Sequence, residues 1–207
     1  MSRTGLILVG AGGHAQACID VIEQQGQFEI AGLVGTANQL HAHQCGYAVI
    51  GTDADLPRLA QSHRYALITV GQILSPALRM RLFLQVKALG LELVRVVAPS
   101  AHVSRHAQLG EGTIVMHGAI VNAGATVGAN CIINTRALIE HGASVGADCH
   151  IATGAILNGN VRVGAGSFVG SGSIVKEGVL LGKQCIIGMG MSVRHDQADH
   201  ARTTVQR

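Results

Sequence analysis

Aliphatic side chains recur at every sixth position in the second half of the chain, from Val97 to Val193, without an exception. A period of six matches neither an α-helical turn nor the two-residue alternation of a simple strand. It is the pattern of the hexapeptide-repeat parallel β-helix. Each hexad gives one short strand and one corner, so that three hexads close a triangular coil of about 18 residues, and coils stack roughly 4.8 Å apart. The pattern predicts a β-helix over residues 97–195.

A second inward position follows four residues after each aliphatic one, and small residues such as Ala125 and Ala137 fill most of these positions. The interior of a narrow prism has no space for two large side chains per hexad. One corner column carries glycine, which indicates a backbone turn that a Cβ would disturb. Its members are Gly110, Gly128, Gly146, Gly164 and Gly182. A second corner column is polar, and we expect chemistry there. Its members are Ser104, Asn122, Glu140, Asn158 and Lys176.

The first half of the chain alternates apolar strands with helical stretches, which predicts an α/β domain with a small parallel sheet. Strands are expected at residues 5–9, 28–34, 47–50, 65–70 and 91–97, with helices after residue 13 and near 53–62 and 76–89. The change of period near Val97 divides the chain into two domains. We therefore predict a Rossmann-like domain over 1–96, the β-helix over 97–195 and a polar tail over 196–207.

The segment Gly10-Ala11-Gly12-Gly13-His14 joins the first strand to the first helix, where backbone N–H groups can hold an anionic group such as a nucleotide phosphate. The dinucleotide pattern is incomplete, because Ala15 replaces the third glycine and no acid follows Val34. A full NAD site is therefore not expected. We expect Gly10, Gly12, Gly13 and His14 to contact a substrate. The alternative is a tight turn that binds no nucleotide.

The composition narrows the possible partners. A net charge of +3 without a basic run gives no support for nucleic-acid binding. The apolar run at residues 6–9 is too short for a signal peptide or a membrane span, so we expect a soluble cytoplasmic protein with no membrane partner. The five cysteines lack a CxxC or zinc pattern, and we expect no metal.

Glu140 and His141 at the polar corner are the strongest candidates for catalysis. Gly159 occupies the position of His141 one coil later, about 4.8 Å away along the axis. Acyl transfer from a thioester requires a base and a hydrogen-bond donor for the thioester oxygen, and His141 and the Gly159 N–H can supply them. Glu140 could orient the imidazole. The alternative is a solvent-exposed corner histidine without a role in chemistry.

The run Ile133-Asn134-Thr135-Arg136-Ala137-Leu138-Ile139-Glu140-His141, the glycine loop and Phe168-Val169-Gly170-Ser171 carry a family resemblance. The chain resembles the sialic acid O-acetyltransferase (NeuD) family and related bacterial N-acetyltransferases for nucleotide-linked amino sugars. The resemblance implies a left-handed β-helix, acetyl-CoA as co-substrate, and a homotrimer with active sites between neighbouring β-helices. It also implies residue roles: His141 as general base, Glu140 as its partner, Asn134 facing the acceptor, the Gly159 N–H on the thioester oxygen, and His150 and Ser171 near the cofactor.

Three functions remain open at this stage. The first is acetyl transfer from acetyl-CoA to a sialic-acid-type or nucleotide-linked sugar, with O-acetylation favoured over N-acetylation of a nucleotide-linked 4-amino sugar. Direct attack is expected, because no cysteine or serine is placed beside His141 as a nucleophile. The second is a metal enzyme of the carbonic anhydrase type, which needs three histidine ligands. The third is a non-catalytic scaffold that binds a sugar nucleotide or another partner.

Overall fold

The structure is a computed structural model that describes residues 4–204. Its first part contains six strands and three α-helices, together with two single-turn 3₁₀ helices at Ala37–Gln39 and Asp53–Asp55. The strands are β1 (Thr4–Val9), β2 (Phe28–Gly35), β3 (His43–Gln44), β4 (Tyr47–Thr52), β5 (Tyr65–Ile68) and β6 (Glu92–Leu93). The helices are α1 (Gly13–Gln25), α2 (Leu56–Leu59) and α3 (Ala77–Ala88). The sheet order is β3-β4-β2-β1-β5-β6, and only the β3–β4 pair is antiparallel. The prediction of a Rossmann-like α/β domain is confirmed.

Helix α1 leaves the sheet through the glycine loop and buries Ala15, Cys18, Ile19 and Ile22. No side chain caps its first turn. The Ala15 N–H donates to the Gly12 carbonyl at 3.0 Å, whereas the N–H groups of Gly13 and His14 have no partner within residues 4–204 and can face a ligand. The helix ends at Gly26, whose φ of 68° is the left-handed conformation that glycine accepts readily.

The second part is a left-handed parallel β-helix with three faces: the hexads predict the coil, and the family resemblance implies its hand. Strands 18 residues apart pair in register, as Ile114 with Ile132 and Ile132 with His150 do. The covered face consists of Val96–Val97, Ile114–Val115, Ile132–Ile133, His150–Ile151, Phe168–Val169, Ile186–Ile187 and Arg202–Thr203. The apolar face consists of His102–Val103, Ile120–Val121, Leu138–Ile139, Ile156–Leu157, Ile174–Val175 and Ser192–Val193. The polar face consists of Gln108–Leu109, Thr126–Val127, Ser144–Val145, Arg162–Val163 and Leu180–Leu181.

The β-helix extends beyond both boundaries that the sequence suggested. It begins at Val96, because the strand expected over 91–97 is divided between β6 and the covered face. At the other end, Arg202–Thr203 pairs with Ile186–Ile187, so residues expected to form a tail continue the coil. The polar residues there serve the backbone: Asp196 accepts a hydrogen bond from the Leu180 N–H at 2.8 Å. Residues 205–207 of the predicted tail lie outside the described part of the chain.

The outward side chains of the three faces differ in their surroundings. On the covered face Ile114, Ile132 and His150 are buried under the N-terminal domain. On the apolar face Ile120 and Ile174 remain exposed, although both are large hydrophobic side chains. A row of exposed aliphatic side chains along one face is typical of a surface that another protein chain covers.

The close stacking of successive coils explains why one corner carries a column of glycines. Gly128 does not have a positive φ, but a Cβ added to it would lie 2.5 Å from the backbone nitrogen of Ala147 in the next coil. The corners of successive coils therefore approach too closely for a side chain.

We expect Gly128→Ala to force adjacent coils apart and to lower the free energy of unfolding by about 1–3 kcal/mol. The measurement is the urea midpoint of the purified protein, followed by circular dichroism. Gly12→Ala is the matched control, since nothing lies within 4 Å of a Cβ there. Equal midpoints for the two variants would contradict the stacking explanation.

Candidate active site

Glu140 and His141 lie at the corner that follows the strand Leu138–Ile139. The Glu140 carboxylate accepts two hydrogen bonds from His141, one from its backbone N–H at 2.9 Å and one from ring Nδ1 at 3.0 Å. These bonds, together with one from Asn122, hold the pKa of Glu140 below its ordinary value. Because the carboxylate can only accept, Nδ1 carries the proton in the neutral imidazole, which leaves the lone pair on Nε2. The imidazole is therefore oriented with a basic nitrogen directed away from Glu140.

Gly159 lies against that nitrogen. A Cβ built on Gly159 would be 2.7 Å from His141 Nε2, so the ring packs where only a glycine leaves space. The Gly159 carbonyl accepts a hydrogen bond from the Gly178 N–H at 2.9 Å, whereas its own N–H has no partner among residues 4–204. The His141 side chain is 69% exposed. A basic nitrogen and an unused backbone donor thus lie side by side at an open surface.

A groove continues along this corner from the His141 pocket. The pocket has a volume of about 520 Å³ and is lined by Glu140, His141, Asn158, Gly159, Asn160 and Glu177. A second depression of about 550 Å³ shares Glu177 with it and is lined by Lys176, Glu177, Gly178, Val179, Arg194, His195 and Asp196. The groove becomes richer in cationic side chains toward the last coils, although Glu177 and Asp196 also line it.

Asn134 and His150 lie elsewhere in the same chain. Asn134 follows the strand Ile132–Ile133 at the corner between the covered and apolar faces, and its amide nitrogen is 3.0 Å from His150 Nε2. His150 Nδ1 is 2.5 Å from the carbonyl oxygen of Gln72 in the N-terminal domain. Since that oxygen can only accept, Nδ1 of His150 is the donor, and Nε2 accepts from Asn134.

His14 belongs to this second cluster, which we call the interface cluster (His14, Gln72, Asn134 and His150). The rings of His14 and His150 are 6.4 Å apart, and His14 Nε2 is buried with no partner in the described structure. Burial, followed by the charge of Arg79, lowers the pKa of His14 to about 3. Burial also lowers the pKa of His150 to about 4. Both rings are neutral at physiological pH.

Ser171 lies on the same side as Asn134 and not at the His141 corner. It is exposed, and its carbonyl accepts a hydrogen bond from the Gly190 N–H at 2.8 Å. Within one chain, the residues that the resemblance implies for a single site therefore occupy both edges of the apolar face.

The glycine loop opens on a cleft of about 470 Å³ in the N-terminal domain. Gly10, Gly12, Gly13 and His14 line it together. Asp53 and Arg81, which no sequence motif indicated, line the same cleft and form an ion pair at 3.0 Å. Asp53 comes directly after β4, which is the neighbour of β2 in the sheet. It therefore supplies the acidic residue that is missing after β2. The available signal was its position at the carboxyl end of a parallel strand.

Two further observations concern metals and membranes. Among the residues that the structure describes, no group of three His, Cys, Asp or Glu side chains could hold a metal ion. No helix between residues 4 and 204 has the length and apolar character needed to cross a bilayer.

Comparison with known proteins yields two family matches. Residues 5–86 match the PglD N-terminal domain, and residues 118–158 and 160–194 match the hexapeptide repeat of succinyl-transferase. A comparison with curated protein sequences finds no match.

Solved structures resemble the chain over nearly its full length. A histidine variant of perosamine N-acetyltransferase from Caulobacter crescentus, in complex with CoA and GDP-perosamine, is 34% identical with a TM-score of 0.91, covering 97% of this chain and 93% of that one. The acetyltransferase domain of PglB from Neisseria gonorrhoeae, in complex with acetyl coenzyme A, is 29% identical with a TM-score of 0.89, covering 97% and 96%. WeeI from Acinetobacter baumannii shares the fold at 17% identity.

Proposed function

The chain is an acyltransferase that belongs to the family of sugar acetyltransferases in which a PglD-type domain precedes hexapeptide repeats, and we propose that it acetylates the amino group of a nucleotide-linked amino sugar with acetyl-CoA. The resemblance to sugar acetyltransferases is confirmed at this level. The preference for O-acetylation of a sialic acid is not supported, because the relatives named above include an N-acetyltransferase whose complex contains a nucleotide-linked amino sugar. The N-acetyltransferase alternative is therefore our proposal.

The observation that carries the proposal is the contact of His141 Nε2 with Gly159, with Glu140 on the opposite ring nitrogen. The acceptor amine attacks the thioester carbonyl carbon while Nε2 removes a proton from the nitrogen. The Gly159 N–H donates to the oxygen as it gains negative charge. Collapse of the tetrahedral intermediate breaks the carbon–sulfur bond, and the leaving thiolate receives the proton from the imidazolium. Glu140 stabilises the imidazolium that forms in between.

The groove along the His141 corner suits the donor. About thirteen bonds separate the sulfur of CoA from its diphosphate, which corresponds to roughly 14 Å of extended chain at the reach of a peptide. His195 lies two coils beyond Gly159, a separation of roughly 10 Å at the spacing of stacked strands. The arm of CoA from a thioester at Gly159 would therefore pass Lys176 and bring the diphosphate to the last coils, at or just beyond Arg194 and His195. This arrangement supports acetyl-CoA as the co-substrate.

The N-terminal cleft suits the acceptor. The first turn of α1 offers uncapped N–H groups for a diphosphate. Asp53 can accept hydrogen bonds from a ribose or a base, and His14 Nε2 is left for the sugar. Gly10, Gly12 and Gly13 have no side chains, so the backbone of the loop can approach the ligand closely.

A homotrimer would bring the His141 corner of one subunit and the Asn134 corner of another into the same site. The apolar face is bounded on one side by the Asn134 corner and on the other by the His141 corner. Three copies with this face toward a threefold axis would bury the exposed Ile120 and Ile174, and would set the His141 corner of one copy beside the Asn134 corner of the next. Each site would then combine His141 of one subunit with the interface cluster of its neighbour.

Mixed trimers test this arrangement. We expect the Asn134→Ala and His141→Ala proteins to be nearly inactive alone, and trimers that contain both chains to regain about a third of the wild-type rate, because one of the three sites in each such trimer is intact. The two chains carry different affinity tags, and mixed species are purified on both. A rate in the mixed trimers no higher than that of the separate variants would contradict a site shared between subunits.

Thiol release from acetyl-CoA measures the reaction itself. The acceptors are several nucleotide-linked 4-amino sugars, CMP-sialic acid and free sialic acid. Turnover with an amino sugar nucleotide, and its loss when the amine is already acetylated, is the expected result. Turnover only with the sialic acids would overturn N-acetylation, and binding of acetyl-CoA without transfer to any acceptor would favour the scaffold.

A further inference from the structure

Arg79 on α3 is buried between the two domains, with 1% of its surface exposed. No carboxylate within residues 4–204 lies at ion-pair distance from it, although a guanidinium is rarely buried without such a partner. It donates instead to three carbonyl oxygens: that of Ile68 at 2.7 Å, that of Val70 at 2.9 Å and that of Asn130 at 3.0 Å. A buried charge held only by backbone groups is costly, so its position calls for an explanation.

The three carbonyls belong to the two backbone segments that support Asn134. Asn130 lies four residues before it, in the turn that leads into the strand Ile132–Ile133. Ile68 is the last residue before the 69–76 loop and Val70 lies in it. The Gln72 carbonyl of this loop binds His150, and His150 in turn binds Asn134. The side chain of Gln72 fastens this loop to the β-helix through the Asp148 carbonyl at 2.9 Å. Arg79 is thus bonded to both supports.

We propose that Arg79 is a positioning residue for acetyl transfer, which holds the 69–76 loop and the Asn130 turn in register so that His150 presents the Asn134 amide in one orientation. The proposal rests on the proposed function, because Asn134 matters only if it faces the acceptor. The Asn134 amide is held at both ends, since its oxygen accepts the Thr135 N–H at 2.7 Å and its nitrogen donates one hydrogen to His150, which leaves the second N–H for the acceptor. A turned amide would lose both of its bonds.

The positive charge of Arg79 favours the same arrangement of His150 and Asn134 as its hydrogen bonds do. The titratable groups near His150 are Arg79 from α3 and His14 from α1, while the Asp148 carboxylate of the preceding turn accepts from Asn130 at 2.7 Å. Burial and the Arg79 cation lower the pKa of His150, while the hydrogen bond to Gln72 raises it. A protonated His150 would need to donate from Nε2, where it now accepts from Asn134, so a neutral ring is required for the observed pair.

The test compares Arg79→Met with Lys87→Met. Lys87 lies on the same helix and bridges the domains through an exposed ion pair with Glu111, so its variant reports what simple loosening of the interface does. We expect Arg79→Met to lower kcat/KM for the sugar nucleotide about 100-fold, as a misplacement of about 1 Å can. We expect less than about a twofold change for Lys87→Met.

Two readouts separate positioning from a general loss of structure. Histidine-ring NMR of the full chain should show the pKa of His150 moving upward in Arg79→Met and staying low in Lys87→Met. In a His150→Phe background, Arg79→Met should lower the rate by less than about threefold, because the two residues act through one chain of contacts. An unchanged His150 pKa, or fully multiplicative losses, would overturn the proposal.

The NMR readout does not depend on turnover, so it distinguishes a failure of this inference from a failure of the transferase proposal. If Arg79→Met does not fold, Arg79→Lys replaces it, because a lysine keeps the charge but cannot reach all three carbonyls. We then expect about a tenfold loss of kcat with the His150 pKa still low. A wild-type rate in Arg79→Lys would overturn the positioning role.

Discussion

Replacing His141 by alanine is expected to lower kcat for acetyl transfer by about 10²–10⁴-fold, the range that a general base contributes. The physical reason is that Nε2 faces Gly159 with its lone pair free, while Glu140 holds Nδ1 at 3.0 Å. Because the side chain is 69% exposed, its removal leaves no cavity in the core. The measurement is thiol release at saturating acetyl-CoA, with KM determined for both substrates.

The control for this variant is His106→Ala, which removes an exposed histidine from a lower coil and should leave kcat within about twofold. Glu140→Gln is a related test. It should lower kcat less than His141→Ala, and it should add little in the His141→Ala background, since residues that act as a unit are not additive. An undiminished rate in His141→Ala would rule out the base role.

Gly159→Ala is expected to lower kcat/KM by about 10²–10³-fold, comparable to the loss of one oxyanion donor. The new Cβ would lie 2.7 Å from His141 Nε2 and 2.8 Å from Cε1, so the ring must move away from the site of attack. The backbone should accept the change, because Gly159 does not have a positive φ and Ala123 occupies the equivalent corner position two coils earlier. The loss should therefore appear in catalysis and not in the unfolding midpoint.

The double variant His141→Ala, Gly159→Ala is the internal control. Without the imidazole the clash disappears, so the alanine at 159 should have little further effect on the remaining rate. The measurements are steady-state kinetics and calorimetric binding of acetyl-CoA. Wild-type kinetics in Gly159→Ala would show that the close approach of Gly159 to His141 has no part in the reaction.

Much of the β-helix could be predicted because its contacts follow one rule. Residues 18 apart in sequence become neighbours, as Ile120 and Leu138 are, so the inward positions and the glycine corner can be identified by counting. The end of the coil could not be predicted in this way. After residue 195 the hexad pattern stops, yet the backbone of the last full coil still has unpaired groups, and Arg202–Thr203 pairs with them.

The sequence by itself determined the coil, and with it the pairing of Glu140, His141 and Gly159, because these residues are related by adjacency and by a single repeat length. Only the tertiary structure decided that His150 faces Gln72, that Arg79 binds Asn130 and that Asp53 enters the substrate cleft. Residues 72 and 150 are 78 positions apart with no periodic relation between them. Such contacts depend on how an aperiodic α/β domain docks on the covered face. Burial of Ile114 and Ile132 drives that docking, but no repeat in the sequence identifies the residues that they meet.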